Sequence, residues 1–448
     1  MNRNITINPG RICQPLGAVM AFLGVRGAMP LIHGSQGCST YMRFQITRHF
    51  REPVNIASSS LNEATVVYGG EKNLLKAIRT VEENYKPEVI GVISGCLSET
   101  IGDDINRIVR IYRDAGSESR IIPVSTPGFK GSHVDGYDMA VTSILRSIAG
   151  DPSDQIERVN VINGIMSPAD TYELKSILRS MGTEFLMITD TSESLDEPFN
   201  GDPYFITRHG TPISKIEGAS NSMATLSLGG CKGGRVLEGR YGIKNIGLEI
   251  PAGLENTDRF IGKLTELFDA SISQSLMRDR GRLIDAMIDA HQYTYGRNVA
   301  IFTDPGYAVA ITSMVLEMGM TPSAVFTGSE SIYFNEKISQ LQKEYGFKCM
   351  AMSGADIFDL QSYISEKPID VLIGNSYCGR AAEENGIPLM RVGFPVYDRL
   401  GSQRIRIAGY SGGIEFVDSL TNLIIERYYD EGYEISDVSD ADESCCIR

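Results

Sequence analysis

A chain of 448 residues exceeds what one hydrophobic core supports and divides into roughly two to four domains. Its hydrophobic share of 42% supplies ample core, yet runs such as Val89–Ile93 and Val299–Phe302 fall far short of the ~20 residues of a membrane span. The balance of 42 basic against 56 acidic residues, net −14, speaks against a nucleic-acid partner, and no long apolar stretch after Met1 suggests a secretory leader.

Taken in chain order, residues 14–30 read as a helix with Gly17, Ala18, Ala21 and Gly24 along one side, introduced by Cys13. Pro30-Leu31-Ile32-His33 runs as a strand into the Gly34-Ser35-Gln36-Gly37 turn and Cys38. Residues 39–50 form a second helical piece, and Arg43, Arg48, His49 and Arg51 cluster there as a candidate anion-facing surface. The Tyr68-Gly69-Gly70 turn opens a helix to about Tyr85. Glu88–Ser94 is a buried strand of parallel-sheet type that delivers Cys96, and Asp103-Asp104 caps the next helix. A strand at 121–124 leads into a loop whose Ser125, Ser132 or His133 is a candidate fourth contact.

Turn residues at 150–154 mark a boundary. Strand Val159–Ile162, helix Ala169–Met181 and strand Glu184–Ile188 then form a βαβ unit with the right-handed crossover of a parallel sheet. Residues 190–260 read as irregular, with Gly229-Gly230-Cys231-Lys232-Gly233-Gly234 a loop; a phosphate cradle would need a strand before it and a helix after. One long helix is expected from about Asp258 to His291. Beyond it come strands Asn298–Phe302, Pro322–Phe326, Lys348–Met352, Val371–Ile373 and Leu389–Val392, a helix Tyr307–Met318, and a closing helix Gly413–Tyr429. The expected architecture is α/β: three Rossmann-like, doubly wound parallel-sheet domains. They span 1–150 with the three N-terminal cysteines, 151–296 with the linking helix, and 297–432, followed by an acidic tail, 433–448.

Eight dispersed cysteines without a C-x-x-C pair argue against a disulfide framework and for a reduced, cytoplasmic setting. A single cysteine is most often a small buried hydrophobe. Cys231, Cys349 and Cys378 fit that description, and Cys445-Cys446 sit in the polar tail. Cys13, Cys38 and Cys96 differ, because each falls where an apolar or Gly-rich run gives way to a helical start. In an α/β domain that is where ligands bind, and a helix N-terminus favours the thiolate. Gly37 and Gly95 beside two of them let backbone approach a bulky inorganic group.

Cys13-Gln14-Pro15-Leu16-Gly17-Ala18, His33-Gly34-Ser35-Gln36-Gly37-Cys38, Arg48-His49-Phe50-Arg51-Glu52-Pro53-Val54 and Cys96-Leu97-Ser98-Glu99-Thr100-Ile101-Gly102-Asp103-Asp104 together resemble the β-type subunit of nitrogenase component 1. The resemblance continues through Gly131-Ser132-His133, Arg280-Gly281-Arg282-Leu283, Gly374-Asn375-Ser376-Tyr377 and Arg391-Val392-Gly393-Phe394-Pro395. It implies an α2β2 assembly with an α-type subunit, and an iron–sulfur cluster shared between the two chains, of eight-iron P-cluster type or a four-iron cluster. Cys13, Cys38 and Cys96 fall on this subunit's cluster cysteines, Tyr41 on a residue between that cluster and the metal cofactor, and Tyr68, Gly69 and Gly70 near the docking site of the ATP-dependent Fe protein. The iron-based cofactor itself is expected in the α-type partner, so no catalytic acid or base is assigned here.

Gly128 stands where molybdenum nitrogenase β chains carry a cluster-ligating serine, only twelve residues precede Cys13, and Ile56-Ala57-Ser58-Ser59-Ser60 is similar to the cofactor-assembly scaffold N subunit. Retention of all three cysteines points to a catalytic relay, with methylthio-alkane reductase the expected class. A nitrogenase β chain, a non-catalytic assembly scaffold and a metal-free α/β binding protein are the alternatives.

Overall fold

The computed structural model describes residues 8–199, 201 and 206–430. The acidic tail with Cys445 and Cys446 lies outside them. Three sheets, all with parallel pairing, follow one another along the chain. The first comprises β1 (Ala28–His33), β2 (Ala57–Ser58), β3 (Val89–Ser94) and β4 (Arg120–Val124), in the order β2-β1-β3-β4. The second holds β5 (Ile156–Ile162), β6 (Glu184–Met187), β7 (Ser222–Leu228) and β8 (Lys244–Leu248), ordered β6-β5-β7-β8. The third holds β9 (Asn298–Phe302), β10 (Thr321–Thr327), β11 (Met350–Ser353), β12 (Val371–Gly374) and β13 (Leu389–Arg391), ordered β11-β10-β9-β12-β13.

Every residue of β1 and β3 is buried, as a strand covered by helices on both faces must be. On one face of the first sheet, Leu74, Ile78 and Val81 of helix Glu71–Tyr85 join Ile105, Ile108 and Val109 of helix Ile105–Asp114. On the other face lie helices Gln14–Leu23 and His133–Ile148. All ten residues of the first of these are buried. Two glycines let the pair touch backbone to backbone: a Cβ on Gly17 would lie 1.7 Å from the His133 carbonyl oxygen, and one on Gly136 1.9 Å from that of Gln14. The second and third units share one apolar core, which the closing helix Gly409–Asp430 completes with Phe416, Val417, Leu420 and Ile424. Among the described residues no helix is long and apolar enough to cross a membrane.

Three expectations need correction. The first helix stops at Leu23, because Gly24 caps it and Gly27 turns the chain at φ +72° into β1. Residues 190–260 contain β7, helix Arg235–Tyr241 and β8, so the segment adds half of the second sheet. Their weak amphipathic alternation hid them: β7 is buried almost throughout and reads as Ser- and Thr-rich. The long helix is two, Glu255–Phe268 and Gln274–Thr294. Asp269 breaks it with left-handed backbone (φ 48°), and the Ser273 hydroxyl caps the restart by accepting from the Leu276 amide.

Candidate functional site

Cys38 and Cys96 are placed by adjacent parallel strands. β1 and β3 pair in register from Ala28–Val89 to His33–Ser94, so the turns that follow them emerge side by side at the carboxyl edge of the sheet. Cys38 is the third residue of helix Gln36–Phe50, within 3.3 Å of the Ser35 hydroxyl, and Cys96 opens helix Cys96–Ile101. Cys13 arrives from elsewhere. It is the N-cap of helix Gln14–Leu23 and forms an antiparallel bridge with Ser132, reinforced by the His133 amide donating to the Ile12 carbonyl at 2.8 Å.

These elements meet at Gly128, in the loop after β4. A Cβ there would lie 2.2 Å from the Cys13 sulfur and 3.0 Å from the Cys96 sulfur. Two thiols far apart in sequence therefore converge on one side-chain-free backbone position. Burial pushes the Cys13 thiol up to about 11, with Cys96 and then Cys38 adding to the shift. The helix N-terminus by itself favours the Cys13 thiolate. It is outweighed, since a thiolate there would lose hydration and face two further sulfurs. Cys13 and Cys38 are half-buried and Cys96 is exposed, so the thiols open toward the surface.

The loop itself is tied down. Glu99 accepts from the hydroxyls of Ser94 and Ser125, while Thr126 donates its amide to Ser94 Oγ and its hydroxyl to the Ser94 carbonyl, both at 2.8 Å. The candidate fourth contacts are thus committed: Ser125 to Glu99, Ser132 to a capping box with Asp135, and His133 Nε2 to Asp304 at 2.9 Å. Among the described residues no group of three or more His, Cys, Asp or Glu is gathered to hold a single metal ion. Two thiols meeting over a glycine floor, with Cys38 a neighbour of Cys13, suit a polynuclear iron–sulfur group, whose irons take thiolate ligands.

Tyr41 lies one helical turn past Cys38, 55% exposed, its hydroxyl 2.6 Å from Gln45 Nε2. Tyr68 ends helix Glu63–Tyr68 at 88% exposure, Gly69 turns at φ +86°, and the Gly70 amide donates to both Asp103 oxygens at 3.1 Å. The basic cluster is largely spent within the chain. Arg48 stacks on Tyr397 (3.8 Å), Arg51 donates to the Tyr397 carbonyl, and buried His49, lowered to about 4 by burial, accepts the Val396 amide at 2.8 Å. The 229–234 loop has its strand and helix after all, but the Asp138 carboxylate occupies the Lys232 and Gly233 amides (2.9 and 3.2 Å), so an internal anion fills the cradle. Sequence reasoning passed over the partners of His33 and Asp103. His33 belongs to the His33–Cys38 motif, but nothing in the sequence pairs it with a residue seventy positions on.

Comparison with known proteins agrees with this geometry. Residues 13–425 match the family described as Nitrogenase component 1 type Oxidoreductase. The chain is 38% identical over 445 residues to the nitrogenase molybdenum-iron protein beta chain of Methanococcus maripaludis, covering 96% of each. To that of Clostridium pasteurianum it is 36% identical over 430 residues, covering 94% of each. The solved structure of nitrogenase Cp1 at pH 6.5 superposes with a TM-score of 0.94 at 36% identity, covering 97% of this chain and 96% of that one. This chain is therefore a β-type member of the nitrogenase component 1 family of oxidoreductases.

Proposed function

We propose that the chain is the β-type half of an ATP-dependent nitrogenase-like reductase, with Cys13, Cys38 and Cys96 holding an iron–sulfur cluster of P-cluster type shared with an α-type subunit in an α2β2 assembly. The observation that carries this reading is the meeting of the Cys13 and Cys96 sulfurs over Gly128, in thiols that open toward the surface, where a second chain can complete the ligand set. When bound, such a cluster supplies low-potential one-electron transfer. The chain's own residues supply three sulfurs, a glycine floor and a loop fixed by Glu99. Cys13 must give up its proton to bind iron, and its raised pKa makes loading increasingly favourable as pH rises. Tyr41, one helical turn past Cys38 and exposed, would stand between the cluster and the α-type partner's metal cofactor, as the resemblance implies. The exposed helix end Val66, Val67 and Tyr68, just before the Gly69 turn, offers the partner Fe protein an apolar contact.

For the substrate class, dinitrogen reduction is favoured over the expected methylthio-alkane reduction. The relatives compared above are molybdenum-iron beta chains, and the chain covers 94–96% of their length, so its short N-terminal segment does not set it apart from them. Gly128, without the serine expected of molybdenum chains, keeps methylthio-alkane reduction as the second reading.

The test is anaerobic co-purification with the α-type partner, iron quantitation and EPR, then assays with Fe protein and ATP on dinitrogen, acetylene and a methylthio-alkane. Turnover that disappears with the interface EPR signal in Cys38→Ala supports the relay, and the substrate reduced names the class. Full iron content and turnover in Cys38→Ala refute it. Cofactor transfer to an apo-nitrogenase without turnover makes the chain an assembly scaffold.

A further inference from the structure

His33 is fully buried at the end of β1, yet its ring is saturated with partners. Nδ1 lies 2.9 Å from Ser59 Oγ, which also accepts the Gly34 amide at 3.2 Å; the hydroxyl's one hydrogen is thereby left for Nδ1. The proton then sits on Nε2, which donates to Asp103 Oδ2 at 3.0 Å. Burial lowers the His33 pKa against the pull of Asp103, in keeping with a neutral ring. Asp103 in turn accepts the Gly70 amide with both oxygens. Gly70 has no room for a side chain: a Cβ would lie 2.4 Å from Asp103 Oδ2 and 2.9 Å from His33 Cε1. The docking turn is thus seated directly on the pair.

The same two residues hold the cysteine turns. The His33 carbonyl accepts the Gly95 amide at 3.0 Å and the Ser98 hydroxyl at 2.7 Å, which fixes the start of the Cys96 helix. The Asp103 amide donates to the Ser98 carbonyl at 3.0 Å, which fixes its end. From His33 the chain runs directly through Gly34 and Ser35 into the Cys38 helix. Neighbouring turns in an α/β sheet need no such link, since β1 and β3 already align them. What the side-chain pair adds is a connection from Gly70, beside the exposed Tyr68, to both cysteine turns through hydrogen bonds largely shielded from water, where they are stronger and more directional than at the surface.

We propose that His33 and Asp103 are positioning residues that couple the Tyr68–Gly70 turn to the Cys38 and Cys96 turns, so that a partner pressing on the turn shifts both thiols. This rests on the docking reading above. Neither residue is assigned a proton or electron to carry.

The test uses the assembled complex, with hydrogen exchange measured with and without Fe protein and a non-hydrolysable ATP analogue, in wild type, Asp103→Ala and Asp103→Asn. In the wild type, protection over 62–73 is accompanied by altered exchange over 33–38 and 94–103. Asp103→Ala keeps the first and loses the second. Its Fe-protein-driven turnover per iron falls about tenfold, while iron content and reduction by dithionite stay within about twofold of wild type. Asp103→Asn, which keeps an acceptor oxygen for Gly70 and His33, restores the coupled response. If Asp103→Ala fails to assemble, His33→Phe against His33→Gln, the latter retaining a donor to Asp103, gives the same comparison. Undiminished propagation in the breaking variant overturns the proposal, as does parallel loss of iron content and both electron rates, the mark of a purely structural pair. A wild type with no protection over 62–73 refutes the docking reading itself and takes the coupling with it.

Discussion

The contact that brings Cys13 to the site can be tested at Gly17. An alanine Cβ there would sit 1.7 Å from the His133 carbonyl oxygen, 2.6 Å from its carbon and 2.8 Å from the Tyr137 amide nitrogen. All three are backbone atoms, so no rotamer change relieves the overlap. Ordinary contact needs about 3.5 Å, so the two helices must part by roughly 1.8 Å. Overpacking costs about 1–3 kcal/mol, and rigid backbone on both sides puts this case at ~3 kcal/mol. Alanine recovers about 1 kcal/mol of helix propensity, leaving a net loss of ~2 kcal/mol. If the first unit melts on its own, that is a fall of about 4–8 °C. Because the same displacement pulls Cys13 from Ser132 and Gly128, reconstituted iron falls with it. Gly262→Ala is the control: it lies in helix Glu255–Phe268 with nothing within 4 Å of its Cβ position, and it should gain up to ~1 kcal/mol. Differential scanning calorimetry and iron quantitation on the full chain read both. A Gly17→Ala variant that melts with the wild type and loads full iron would show that the close helix contact does not set the Cys13 position.

Other consequences follow from buried polar groups. Asp170 accepts the amides of Ile407 and Ala408 (2.7 and 2.8 Å) and the Tyr307 hydroxyl (2.6 Å), so Asp170→Ala strands three donors and should destabilise by at least ~3 kcal/mol, read as a lowered melting temperature. Asp138 is raised from 3.8 to about 6 by burial, so the fold holds its proton more tightly than the unfolded chain does. Its contribution is fully present below pH ~3.8 and is lost as pH rises through about 6, so Asp138→Asn should gain stability on the wild type across that window; a constant difference between pH 4 and 7 would contradict this. Tyr68→Ala should raise the Fe protein concentration needed for half-maximal turnover several-fold while leaving iron content intact, and an unchanged titration would remove Tyr68 from the docking surface.

The sequence by itself determined the class of fold and marked the cysteines from which the site is proposed. Continuous apolar strands such as Val89–Ile93 demand cover on both faces, and cysteines at strand-to-helix turns belong to one edge of a parallel sheet; both arguments are local, and the structure agrees with them for Cys38 and Cys96, whereas Cys13 follows no strand and caps its helix from a loop. Local signals failed where the decisive partner is distant. Ser- and Thr-rich β7 is a strand because it is clamped between β5 and β8, and the 229–234 loop is closed because Asp138 reaches it from another domain. Only the tertiary structure decided that the Cys13 and Cys96 sulfurs meet over Gly128. It also made Cys13 hold its proton against the helix N-terminus, and seated Gly70 on the His33–Asp103 pair. Each outcome depends on burial and on neighbours remote in sequence, and desolvation and close packing become defined only once the chain has folded.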